Sequence, residues 1–324
     1  MKKILITGAT GFIGSHLAEC CVVEGLDVVA FDRYNPRNSW GWLEESKYKN
    51  EMEIILGDIR DFDSVSNVME GCEAVIHLAA LIGIPYSYIS PLAYIRTNVE
   101  GTYNILEASK KQSLQQVIIT STSETYGTAQ YTPIDENHPL VGQSPYSASK
   151  IAADHLAMSY YRSFDLPIKI VRPFNTYGPR QSSRAVIPTI ITQILSGANK
   201  LTLGNIDPTR DLTFVKDTCA AFLSIYQSDN FFGEVTNVGM NSEISIRDLA
   251  KQIMTFTKKN IIIESEKGRK RPENSEVERL VCSNKKLLEN SSWNPGYNLE
   301  KGLKETVEWF RENPQLNKPK LYHV

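Results

Sequence analysis

Residues 3–14 read "KILITGATGFIG", and the order of residue types in that stretch decides the fold class. An apolar run suited to a buried strand breaks at Gly8. Two further glycines, Gly11 and Gly14, complete a G-x-x-G-x-x-G spacing, and a helical pattern opens at about residue 12. Glycines at these intervals permit a tight turn and a close backbone approach to a pyrophosphate, which then faces the positive end of the helix. A glycine triplet alone is weak; its position between a strand and a helix makes it a dinucleotide signal. Gly8, Gly11, Phe12, Ile13 and Gly14 are the residues expected against the phosphates.

Outward from this turn the chain alternates apolar runs with helical stretches. Strand candidates are 3–8, 27–32, 52–58, 74–80, 116–121 and 168–173; helix candidates are about 12–24, 62–70, 92–112 and 145–164. The runs are almost continuously apolar, as parallel strands covered on both faces require. This predicts an α/β fold, a Rossmann-type doubly wound parallel sheet with right-handed crossovers. After residue 174 prolines multiply, with helices expected over 212–228 and 245–258 and a short strand over 234–238. The economical division is a Rossmann domain over 1–174, with returns at about 212–248. A smaller interleaved C-terminal lobe takes about 175–211 and 249–324. A chain of 324 residues exceeds what one compact core usually holds.

The second strand ends at Asp32, whose carboxylate can accept from ribose hydroxyls and repel a 2′-phosphate. This favours NAD over NADP, with the adjacent Arg33 as the one residue that could pair with a phosphate. Asp58 and Ile59 close the third strand, where an adenine edge would lie. "HLAA" (77–80) closes the fourth and sets Leu78, Ala79 and Ala80 beside the cofactor; His77 reads as a packed or backbone-bonded histidine. The net charge of −2 argues against a nucleic-acid surface. No apolar stretch reaches the ~18 residues of a membrane span. Five cysteines without metal spacing suggest reduced thiols and a cytoplasmic protein, and no metal site is expected.

"YSASK" places Tyr146 and Lys150 on one helical face. An ammonium and a positive nicotinamide beside a phenol would favour the phenolate, which can take a proton from an alcohol as hydride leaves. These motifs, with "TNVEGT" (97–102), "RPFNTYGPR" (172–180) and "RDLTFVKD" (210–217), resemble the extended short-chain dehydrogenase/reductases, the superfamily of nucleotide-sugar epimerases and dehydratases. The resemblance spans essentially the whole chain. It implies that Thr122 joins Tyr146 and Lys150 in catalysis and that Asn98 is a polar residue by the cofactor side of the active site. It further implies that Asn175 contacts a nucleotide-sugar substrate and that Arg210 and Arg271 approach its phosphates and ribose, with Arg269 the alternative to Arg271. Val186 and Ile187 of "AVIP" and Leu203 of "LTLGN" would line the base pocket. Helices 92–112 and 145–164 would pair across a two-fold axis into a four-helix bundle, giving a homodimer.

"STSETYG" (121–127) narrows the chemistry. A 4-epimerase oxidises, rotates and reduces C4, and needs no second base. A carboxylate two residues beyond Thr122 resembles the 4,6-dehydratase pattern. Oxidation of C4 to a ketone acidifies the C5 hydrogen, and Glu124 can then remove it. Many such enzymes carry Asp–Glu where this chain has Ser123–Glu124; GDP-mannose 4,6-dehydratases share Thr-Ser-Glu, and UDP-glucuronate decarboxylases also carry Ser-Glu. Either Glu124 protonates the leaving hydroxyl or Ser123 relays the proton. Segments 32–49, 204–218 and 271–280 resemble the dehydratases of the legionaminic acid pathway, which implies GDP- or UDP-linked N-acetylglucosamine. The alternatives are a UDP-glucuronate-type decarboxylase, a nucleotide-sugar 4-epimerase and a cofactor-sensing binding protein. Trp40 and Trp42 belong either to a lid or subunit contact or to simple loop packing.

Overall fold

The computed structural model describes residues 2–266 and 272–316. Seven parallel strands form one sheet: β1 (Lys3–Thr7), β2 (Asp27–Arg33), β3 (Met52–Gly57), β4 (Ala74–His77), β5 (Gln116–Thr120), β6 (Ile168–Pro173) and β7 (Glu234–Val238), in the order 7-6-5-4-1-2-3. Every neighbouring pair is parallel, so this is the doubly wound α/β sheet that the alternation of runs implies. Strand order reverses between β1 and β4, and ligands bind at such a switch point, beyond the carboxyl ends of the strands.

Helix α1 (Phe12–Val23) leaves the glycine turn, and α2 (Phe62–Val68) follows β3. Ahead of β5, Pro91–Tyr94 leads through a π-helical turn, Ile95–Glu100, into α3 (Gly101–Lys111); α4 (Pro145–Phe164) precedes β6. Ser144 caps α4, its hydroxyl accepting from Ser147 N while Ser147 Oγ accepts from Ser144 N, and Pro145 sits at the first helical position. This reciprocal cap sets where the helix starts, and with it the height of Tyr146 above the sheet.

Two apolar layers enclose the sheet. One contains Leu5, Val75, Val117, Ile119, Leu106, Ala157 and Tyr160. The other contains Ile4, Ile6, Ile76, Ile118 and Val171 and continues into the smaller lobe through Ile190, Leu203, Phe222, Leu249 and Phe310. That lobe gathers α5 (Val186–Leu195), α6 (Val215–Gln227), α7 (Ile246–Thr257) and α8 (Leu299–Glu312). A parallel ladder between Lys200–Leu203 and Ile262–Ser265 joins them.

Several element boundaries depart from the periodicity. The stretch 92–112 is three pieces, because the π turn inserts a residue and rolls Asn98 inward. Residues 212–214 form a short strand paired with Asn175–Tyr177, so the helix starts at Val215. The fourth strand ends at His77, and 78–80 is loop. Leu106 and Tyr160 belong to the sheet core. Trp42 packs edge-on to Trp309 of α8, with ring centroids 5.5 Å apart, so the loop after β2 is tied to α8.

Candidate active site

The glycine turn is held by backbone bonds: Gly8 N donates to Phe31 O at 2.8 Å and Gly11 N to Gly8 O at 3.2 Å. Gly8 has φ +72°, and a Cβ there would lie 2.8 Å from Ala79 N. A Cβ on Gly14 would lie 2.1 Å from Gly8 O. Both glycines are therefore required by contact as well as by conformation. Gly11 is the N-cap of α1, with no side chain to take the first amides and no acidic residue in the first turn, an arrangement suited to an anion. Phe12 and Ile13 pack against the core beneath.

Asp32 Oδ2 accepts from Thr10 N at 2.8 Å and Thr10 Oγ1 at 2.7 Å, and Oδ1 accepts from Arg33 N at 2.6 Å. A carboxylate has about four acceptor sites, so capacity remains for ribose hydroxyls. A shallow cleft of about 420 Å³ opens beside Thr10, Asp32, Arg33 and Asn35. Asp58 is clasped by Arg60 through two nitrogens, which holds its carboxyl below the usual range. Ile59 is buried, and its carbonyl accepts from Asn104 Nδ2 at 2.9 Å. Leu78 N and Ala79 N donate to Thr7, and Leu78, Ala79 and Ala80 stay half-buried at the switch point.

His77 is buried between hydroxyls: Nδ1 lies 2.7 Å from Thr7 Oγ1 and Nε2 lies 3.2 Å from Thr102 Oγ1. Thr102 spends its own proton on Asn98 O, so Nε2 is the donor, Nδ1 accepts, and the ring is neutral. Burial pushes its pKa down to about 3. Its partners are side chains, where the sequence reading left backbone bonding open. Asn98 is fully buried, accepting from Leu81 N at 2.8 Å and donating to Leu81 O and Ser149 Oγ, each at 2.9 Å. It braces the loop after β4 against α4.

Thr122 caps a one-turn 3₁₀ helix, Ser123–Tyr126, by accepting from Glu124 N at 3.3 Å. That turn displays Glu124 half-buried, while Ser123 is buried. The Thr122 hydroxyl and the Glu124 charge both act on the phenol of Tyr146. Burial raises the Tyr146 pKa far above normal, with the Thr122 hydroxyl opposing it. Burial lowers that of Lys150, with Asp154 opposing. Thr122, Glu124 and Tyr146 thus come together at the carboxyl edge of β5, with Lys150 one turn further along the same face of α4, and Tyr94 packs edge-on to Tyr146 at 6.2 Å.

On the lobe side, Asn175 Nδ2 is buried with no hydrogen-bond partner among the described residues. Arg210 is 8 % exposed; Nη1 donates to Thr209 O at 2.9 Å and Nη2 lies 3.5 Å from Glu276 Oε1. Ile187 and Leu203 are buried in the core, so a base there would meet backbone atoms or the half-buried Val186. Arg271 and Arg269 lie outside the described residues. Missed by the sequence reading were Thr10 on Asp32, Tyr94 on Tyr146, and the pair Asp154–Arg172 behind Lys150. The spacing of Tyr146 and Lys150, extended by one more turn, points to Asp154.

A family model for "GDP-mannose 4,6 dehydratase" matches residues 5–306. A "Putative UDP-glucose 4-epimerase" of Methanocaldococcus jannaschii is 32 % identical, over 96 % of this chain and 99 % of that one. A "UDP-N-acetyl-alpha-D-glucosaminuronate decarboxylase" of Bacillus cytotoxicus is 34 % identical, over 96 % and 98 %. The crystal structure of the dTDP-glucose 4,6-dehydratase of Bacillus anthracis in complex with NAD superposes with a TM-score of 0.87 at 29 % identity, covering 98 % of this chain and 99 % of that one. A match over nearly the full length, on a sheet and switch-point site of this kind, means that the chain belongs to the GDP-mannose 4,6 dehydratase family, among the extended short-chain dehydrogenase/reductases.

Proposed function

We propose that the protein is a 4,6-dehydratase of a nucleotide-activated N-acetylhexosamine, GDP- or UDP-linked N-acetylglucosamine, with NAD as its resident cofactor. The observation that carries this reading is Glu124, a half-buried carboxylate in the turn capped by Thr122, close enough to Tyr146 for its charge to act there. The glycine cradle, the open N-terminus of α1 and the spare acceptor sites on Asp32 fit NAD and disfavour a 2′-phosphate.

Bound NAD supplies the hydride acceptor for C4 and the donor for C6. Tyr146, beside Thr122, takes the proton from the C4 alcohol. Glu124 removes the C5 proton made acidic by the C4 ketone. The C6 hydroxyl leaves as water, its proton coming from Glu124 or through Ser123. Glu124, reprotonated from solvent, then returns a proton to C5, and Tyr146 releases the C4 hydroxyl proton to solvent, leaving a 4-keto-6-deoxy sugar. Asn175 offers the substrate an amide with no partner among the described residues, and Arg210 suits a diphosphate.

We further propose a homodimer. Ile89, Leu92, Ile95 and Tyr103 are apolar and exposed along 84–111, the stretch that the family resemblance assigns to a four-helix bundle with α4.

Incubating the protein with UDP- and GDP-N-acetylglucosamine in deuterated water tests the reaction. Loss of water with deuterium at C5 is the expected result. An unlabelled C4 epimer, or carbon dioxide released from the corresponding uronate, overturns it in favour of the epimerase or the decarboxylase.

A further inference from the structure

Burial by itself drives Tyr146 and Lys150 toward their neutral forms, yet the phenol accepts a proton only as phenolate, and an uncharged amine does not stabilise one. Something behind the pair must favour the ammonium. One helical turn beyond Lys150, on the same face of α4, stands Asp154, 3 % exposed. Its Oδ2 accepts from Ser121 Oγ at 2.6 Å and from Arg172 Nη2 at 2.7 Å. Its Oδ1 is buried and takes no hydrogen bond among the described residues. Arg172 lies over the ring of Tyr126 at 4.6 Å, and Tyr126 Oη donates to Asn237 Oδ1 at 2.8 Å. Ser121 immediately precedes Thr122, and Tyr126 ends the turn that carries Glu124.

We infer that Asp154, held by Ser121 and Arg172, is a positioning residue that keeps Lys150 an ammonium and anchors the Thr122–Tyr126 turn against α4. This rests on the proposed roles of Tyr146 and Lys150. The charge count explains it. Lys150, Arg172 and Asp154 together carry a surplus of one positive charge, which one phenolate cancels. Without the Asp154 charge, two cations share the same buried volume, and the lysine is the one able to shed its proton. The other titratable groups around the pair are His77 from β4, Tyr94 ahead of the π turn, and Glu124 and Tyr126 from the 3₁₀ turn. His77 is neutral, and the two tyrosines are phenols whose pKa values burial raises to about 12. Among these groups that leaves Glu124, on the substrate side, as the other source of negative charge.

The test is the titration of Lys150 in the full-length protein, followed by NMR of Cε- and Nζ-labelled lysine and assigned with Lys150→Arg. In Asp154→Asn the Lys150 midpoint falls by roughly one pH unit or more, a tenfold loss of proton affinity. The alkaline limb of kcat moves with it, while KM changes less than twofold. Ser121→Ala removes the hydroxyl's bonds to Asp154 and Arg172 but no charge and leaves the midpoint in place. Should Asp154→Asn fail to fold, Arg172→Gln removes the competing cation and moves the midpoint upward. An unmoved midpoint in folded Asp154→Asn, an equal displacement in Ser121→Ala, or a fall in Arg172→Gln overturns the inference. Lys150→Ala is scored separately: undiminished C4 oxidation there sinks the assigned role of Lys150, whatever the Asp154 variants do.

Discussion

Glu124 sits in a single 3₁₀ turn whose N-cap, Thr122, has a hydroxyl that acts on the Tyr146 phenol. In the proposed reaction this turn brings the carboxylate assigned to C5 close to the phenol assigned to the C4 alcohol. Glu124→Gln keeps the size and loses the base. The expected outcome is C4 oxidation with reduced cofactor accumulating near 340 nm, and turnover reduced by about 10²–10⁴-fold; full turnover removes Glu124 from the mechanism. His77 makes a different prediction. Its folded pKa, about 3, lies below the ordinary 6.5 because the ring is buried. The unfolded chain therefore binds a proton that the folded protein refuses. The stability this contributes is complete above pH 6.5 and is lost as pH falls toward 3. His16, lowered to about 4, acts in the same direction. Asp211, raised to about 6 by burial, acts oppositely between pH 3.8 and 6. The clean measurement is thus the difference between parent and His77→Asn in urea unfolding from pH 7 to 4. The variant starts less stable, and its stability declines more shallowly, by on the order of a few kcal/mol across the range; parallel declines contradict the assignment. Glu124, Tyr146 and Lys150 were legible in the sequence because they stand at fixed short intervals. Arg172 was not, since it reaches Asp154 only when β6 lies beside β5.

At the level of elements, the turn from β1 into α1 is over-determined. Gly14 is needed because the first helical turn folds back onto the Gly8 carbonyl, where a Cβ would lie at 2.1 Å. Gly14→Ala must open the turn. We expect about 2 kcal/mol of destabilisation, a fall in Tm of roughly 3 °C, and NAD binding weakened at least tenfold. Calorimetry and titration read the two effects, and unchanged NAD affinity would show that the turn does not hold the phosphates. The strand–turn–helix order was readable because glycine spacing and apolar runs are local properties. The π turn at Ile95–Glu100 was not, because its cause is non-local. Asn98 rolls inward to satisfy both the N–H and C=O of Leu81, a partner known only once β4 has been placed. The strand at Leu212–Phe214 has the same origin: its residues look helical alone but pair with Asn175–Tyr177.

For the whole molecule, the dimer is the prediction. Leu92 and Ile95 are 58 % and 48 % exposed, so replacing both with Glu leaves the monomer fold intact while setting two charges in an apolar contact. Sedimentation at micromolar concentration should show the parent as a dimer and the variant as a monomer with the same helical content; a monomeric parent refutes the bundle. The two structural layers meet in one core: a single apolar cluster runs from Ile4 and Val171 of the sheet into Leu249 and Phe310 of the lobe. Trp42 and Trp309 tie the loop after β2 to α8. By itself the sequence determined the parallel sheet, the glycine turn and the row of Thr122, Glu124, Tyr146 and Lys150, because periodicity and short-range spacing are written along the chain. Only the tertiary structure decided which polar groups lie buried together, namely Asp154 with Arg172, His77 between two threonines, and Asn98 on Leu81. Burial and pairing are properties of strands and helices brought side by side from distant parts of the chain, and no local pattern records them.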